Sequence, residues 1–341
     1  MKLRLVHLSF AVALAVPGLA PAHDTDSQTA PLGTVTFPTS CDPKVQASFE
    51  RAVAMLHSFW YSAGEQAFRD VLKADPQCAI ATWGIASILM SNPLAGQGAS
   101  PKGAEAAQVA IDEGRRIGAK TERERDYIEA VAAYYRDFST RPERERQLSR
   151  AKAYEALAQK YQTDDEAQIF YALYLAGTQT QADQTYSAYL KAAAILEDEF
   201  KKYPDHPGVA HYLIHSYDAP PIADKGLTAA RRYASIAPAA PHALHMPSHI
   251  FTRVGAWQES AATNKRSRDV AIAGNEPDEA YHASDYMVYA YLQLARDQDA
   301  RRSIDEAMKI AGYSTRFVAP YAIAAMPARY VYERGAWAEA A

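Results

Sequence analysis

Apolar residues recur at helical spacing along most of the chain, and short Pro, Gly and Asp punctuation divides them into segments. Alternation at period two is nearly absent, so strands are not expected. The pattern predicts helices over 44–58 with 61–74, 77–91 with 103–117, and 121–138 with 142–161. It continues with 165–176 and 186–203, 207–218 and 223–236, 241–254 and 256–273, and 281–294 and 297–311. Thr121 and Glu124 are spaced as a capping box at one helix start. The longest loop is "SNPLAGQGASPKG", residues 91–103. Pro247 lies inside a predicted helix, where it removes a backbone hydrogen bond and should kink the chain between His245 and His249.

The segments repeat. Pro204 and Pro238 are 34 residues apart and each closes a helical run, "EDEFKKYP" and "ARRYASIAP". "GAWQESAA" at 255–262 returns as "GAWAEAA" at 335–341. "FWYSAGEQAFRDVLKADP" at 59–76 has aromatic, small, aromatic and proline positions in the same order. A helix pair every 34 residues resembles the tetratricopeptide repeat family over nearly all of the chain beyond its first residues. Gly64, Phe68 and Pro76 sit at consensus sites, whereas Ser48 stands where that family prefers Trp. The resemblance implies an all-α fold, an α-solenoid of antiparallel helix pairs in a right-handed superhelix spanning 44–341. Stacking would bury the apolar face that a lone pair leaves open. The last repeat begins at "YVYERGAWAEAA" without a polar capping element, which predicts that the array continues in a longer chain.

Five of the ten histidines lie in "HYLIHSYD" (211–218) and "HALHMPSHIF" (242–251). Setting the repeat register from the prolines alone starts repeats at Pro207 and Pro241, and from small-residue positions at Tyr281. Positions 2, 5, 9 and 12 of the first helix share a face, which in the tetratricopeptide family lines the concave groove. His211, His215 and Asp218 fall at 5, 9 and 12. His242, His245 and His249 fall at 2, 5 and 9, and His282 and Asp285 at 2 and 5. Chance would put roughly one histidine in eight there, so the placement is selective. Trp83, Phe170, Tyr174 and Tyr289 fall at other groove positions.

Three roles suit this patch. Histidines at i and i+4 can share one ion, so His211, His215, His245 and His249 are candidate ligands for zinc, copper or nickel. The same imidazoles, with the aromatics, could instead bind an extended peptide, a protein partner or a small ligand in the groove. They could also be hydrogen-bonded structural groups inside a narrow superhelix. The binding groove is the leading expectation, with a zinc or copper site as the alternative. No nucleophile elbow, phosphate loop, dinucleotide fingerprint or H-E-x-x-H is present. A His–Asp pair such as His211 with Asp218 or Asp285 would suit acid–base chemistry, but no nucleophile accompanies it. His57 reads as a partly buried, satisfied histidine. The segments "HYLIHSYD", "ALHMPSHIF" and "MLHSFWY" are similar to a group of exported bacterial repeat proteins, which implies a binding role and carries no functional residues.

Charge and the N-terminus add a compartment. The formal net charge is −4, with no basic stripe, so nucleic acid is not an expected partner. Lys2 and Arg4, the apolar run "LVHLSFAVALAV" and the Ala20-x-Ala22 site read as a signal peptide over 1–22, placing the protein in the periplasm or outside the cell. No second hydrophobic segment suggests a transmembrane helix. Residues 23–43 are polar and proline-bearing and read as a flexible arm, with His23 at the new N-terminus. In an oxidising compartment Cys41 and Cys78 either form one bridge or remain two free thiols; a bridge would close a loop of about 37 residues and contribute about 4 kcal/mol.

Overall fold

The computed structural model describes residues 30–314 and 317–339. The expected signal peptide, His23 and the first part of the expected arm lie outside the described residues. The chain divides after Ala30, and the fold is that of the unit beginning at Pro31. Every regular element among the described residues is helical, and no strand occurs there.

The helices are α1 (Gln46–His57), α2 (Tyr61–Ala74), α3 (Ile80–Leu89), α4 (Pro101–Ile117), α5 (Glu122–Tyr135) and α6 (Glu143–Lys160). They continue with α7 (Asp165–Ala176), α8 (Ser187–Lys202), α9 (Pro207–Tyr217) and α10 (Leu227–Ile236). The last are α11 (Pro241–His245), α12 (Pro247–Arg253), α13 (Trp257–Ala273), α14 (Pro277–Gln293), α15 (Asp297–Ala307) and α16 (Val318–Arg334). Most ends match the sequence reading because local chemistry sets them. Ser100 caps α4 by accepting from the Gly103 amide at 3.0 Å, with Pro101 in the first turn. Asp164 caps α7 in the same way. Pro247 splits the predicted helix 241–254 into α11 and α12, joined at Met246.

Only half of the expected capping box forms. Thr121 Oγ1 accepts from the Glu124 amide at 3.2 Å. The Glu124 carboxylate does not reach back; it accepts from the Ser40 amide at 2.6 Å. Residues 31–43 are therefore not the flexible arm expected. Leu32, Val35 and Phe37 are buried. Phe37 is fully enclosed, with ring centroids 5.3 Å from Phe49, 5.2 Å from Trp83 and 5.0 Å from Tyr127. Its amide donates to Glu50 Oε1 at 3.0 Å and its carbonyl accepts from Gln46 Nε2 at 2.8 Å. Side chains rather than a ladder satisfy this backbone, so no periodicity marked it.

Successive helices pack on their neighbours, but α1 also packs against α9. Gly208 permits this approach, since a side chain there would run into the His57 ring. Trp60 Nε1 donates to Glu276 Oε1 at 3.1 Å, linking positions 216 residues apart. In a simple array each repeat meets only adjacent repeats. Here distant helices meet across the interior and fill it. Trp83 and Phe170 are fully buried and Tyr174 nearly so, with Trp83 Nε1 donating to Tyr154 at 2.8 Å. These three do not line an open groove, as expected of them; they are core. Cys41 and Cys78 form a disulfide, with Cα atoms 4.7 Å apart. No helix among the described residues is long and apolar enough to cross a membrane.

Candidate metal centre

Four helices bring six histidines together. His211 and His215 lie one turn apart on α9, His242 and His245 on α11, His249 on α12 and His282 on α14. The ligand nitrogens form two triads, each with all atoms within 4.8 Å of one another: His211, His215 and His242, then His245, His249 and His282. The triads adjoin, with ring centroids 5.7 Å apart for His215 and His249 and 5.9 Å for His242 and His245. The break at Pro247 keeps the one-turn relation of His245 and His249, which face each other, Nε2 to Nε2 at 3.0 Å. His211 and His215 meet likewise at 3.1 Å.

An outer layer of acceptors fixes the rings. His211 Nδ1–H donates to the His57 carbonyl at 2.6 Å. His245 Nδ1–H donates to Asn264 Oδ1 at 2.7 Å, while the Asn264 amide nitrogen is committed to the Ser260 carbonyl at 2.8 Å. His249 Nδ1–H donates to Asp218 Oδ2 at 2.7 Å, and Arg253 Nε donates to the other oxygen at 2.8 Å. His242 Nδ1 lies 3.3 Å from Glu279 Oε2. Each arrangement leaves Nε2 as the inward atom, the way metal-ligating histidines are commonly held. The buried Nε2 of His242 has no hydrogen-bond partner.

The electrostatics favour neutral rings at His211, His215, His245 and His282. Burial, reinforced by neighbouring imidazoles, holds His211, His215 and His245 well below the ordinary 6.5. Burial takes His282 down to about 4, against the opposing pull of Glu279. Burial alone would raise the Asp218 carboxyl, but His249 and Arg253 outweigh it and hold the group below its usual range. A base with a lower pKa in the folded state takes up its proton first in the unfolded chain. Metal-free protein should therefore hold its stability above about pH 6.5 and lose it as pH falls toward 4, with His282 alone worth on the order of 3 kcal/mol. Urea midpoints measured between pH 7.5 and 4 in the presence of a chelator check this; a flat profile would contradict it.

Two other clusters are structural. His57 Nε2 and His206 Nε2 each bond one oxygen of Glu166 at 2.9 Å, deep in the interior. His57 Nδ1 lies 2.9 Å from the Tyr212 hydroxyl, and His206 Nδ1 accepts from the Val209 amide at 3.3 Å. Every ring nitrogen is satisfied, and none is left for an ion. Burial would raise Glu166, yet His57 and His206 together bring it down to about 2. Cys41 and Cys78, beside Asp75, are spent in the disulfide.

Of the residues singled out by register, the six histidines converge and Asp218 orients one of them. His211 and His245 are fully buried, so they do not line an open groove as expected. Asp285 stands apart, paired with Arg329, and shares a cavity with Tyr289 beside the second triad. His57 is buried and satisfied, as its isolated position suggested, but it also anchors His211 through its carbonyl. Asn264, Glu279 and Glu166 were not anticipated. Glu279 precedes His282 by one helical turn, a usable signal; Asn264 and Glu166 carry none. No family model matches this chain, and no curated protein matches it.

Proposed function

We infer that this protein binds transition-metal ions, zinc or copper, through two adjoining triads of imidazoles. The observation that carries this is the pair His245 and His249. Both rings have Nδ1 committed as a donor, to Asn264 and Asp218, so a neutral pair would point two Nε2 lone pairs at each other across 3.0 Å. Only a cation between them relieves that repulsion. Burial and neighbouring imidazoles make a proton on His245 a poor choice. A metal ion about 2.0–2.1 Å from each nitrogen suits it better. All-imidazole donors favour zinc, copper or nickel over harder ions. The frame that holds them is read as a solenoid of helix pairs of tetratricopeptide type, exported to an oxidising compartment. The disulfide supports that compartment. An open groove for a peptide is less favoured because the interior that would form it is packed.

Untagged protein, desalted after exposure to zinc, should carry two ions per chain by elemental analysis. His211→Ala and His245→Ala should each remove one, and the double variant both, with helical circular dichroism retained. Less than one ion per wild-type chain would overturn the reading.

A further inference from the structure

The two triads are not equivalent in access. His249 and His282 form one wall of a cavity of about 540 Å³ that His211, His215 and His242 do not line. His245, the third member, is sealed behind them. An ion held by three imidazoles keeps a fourth position. With His245 at the back, that position faces the cavity.

The rest of the cavity tells what would fill it. Its walls include Tyr286, Tyr289, Phe317, Tyr321 and Tyr332. Tyr286 stacks on His249 at 5.1 Å between centroids, so the aromatic surface begins at the ligand itself. Two guanidiniums reach the cavity, but Arg253 is paired with Asp218 and Arg329 with Asp285. These ion pairs, with Glu333, add no positive charge to that of the ion itself, so the walls beyond the ion offer nothing to the further charges of a phosphate or other polyanion. Offset or edge-on ring contacts favour a flat aromatic body. The volume is ample for one or two rings.

We propose that the cavity binds a phenolic compound whose oxygen takes the fourth position on the ion held by His245, His249 and His282. The idea rests on the metal reading above. The phenolic O–H bond breaks and its proton leaves to solvent, the phenolate oxygen displaces any water bound to the ion, and no other bond of the ligand is broken. The ring then lies among the tyrosines, with Tyr321 on the wall away from the imidazoles.

The test uses 4-nitrocatechol, whose visible band moves when its oxygens coordinate a metal. Protein loaded with zinc and freed of excess ion should give a saturable shift with one probe per chain, and chelator-treated protein none. Tyr321→Ala should keep two zinc ions and weaken probe binding roughly tenfold. Two bound zinc ions with no shift, or unchanged affinity in Tyr321→Ala, would overturn the cavity proposal and leave the metal reading standing. Failure to bind zinc at all would overturn both.

Discussion

Zinc at a hundredfold excess over its dissociation constant is expected to stabilise the chelator-treated protein against unfolding by about 5 kcal/mol. Each site contributes about 2.7 kcal/mol at that excess when the unfolded chain does not bind, and two sites add. The unfolded chain is a poor competitor because the six ligands are scattered from His211 to His282 and come together only when α9, α11, α12 and α14 pack. Against a whole-protein stability of about 5–15 kcal/mol this is a large change. The melting temperature should rise by about 8 °C. His211→Ala with His245→Ala should abolish the rise. A chelator-treated wild type whose melt ignores zinc would reject the site, whatever its geometry.

Phe37→Ala should be nearly as damaging, at about 3–5 kcal/mol. The ring is fully enclosed by Phe49, Trp83 and Tyr127, and the Arg123 guanidinium covers it at 4.4 Å from the centroid. Those neighbours belong to three different helices, so the hole cannot close by a local shift. The segment has no regular secondary structure of its own and is held by Glu50, Gln46 and Glu124. Losing the plug should loosen all three attachments. Urea unfolding of the variant measures it; a loss below about 1 kcal/mol would mean that residues 31–43 contribute little to the interior.

Phe37 also illustrates where reading the chain alone falls short. Its flanks, "VTFPTS", are polar and proline-bearing, and composition makes them an arm. What holds them are side chains 7 to 85 positions away. Trp83 is the opposite error. Its helical face was assigned properly, but whether that face meets solvent depends on what lies across from it. Closure of α1 on α9 and the inserted Phe37 decided that it does not.

The histidines divide along the same line. Helical spacing pairs His211 with His215 and His242 with His245, because neighbours on a helix face follow from a period of 3.6 residues. The partition into triads did not follow. It depends on how the four helices pack and on which acceptor meets the Nδ1 of four of the rings: a carbonyl from α1, an amide from α13, carboxylates at Asp218 and on α14.

Helix positions, capping residues, the break at Pro247 and the one-turn spacing of His211 with His215 and of His242 with His245 are thus properties of the sequence, since each arises from contacts within about one turn. The convergence of the six histidines, the filled interior, the outward acceptors that turn Nε2 inward, and the cavity beside the second triad belong to the tertiary structure. They come from pairings across up to 216 residues, and no local periodicity encodes which distant side chain will arrive.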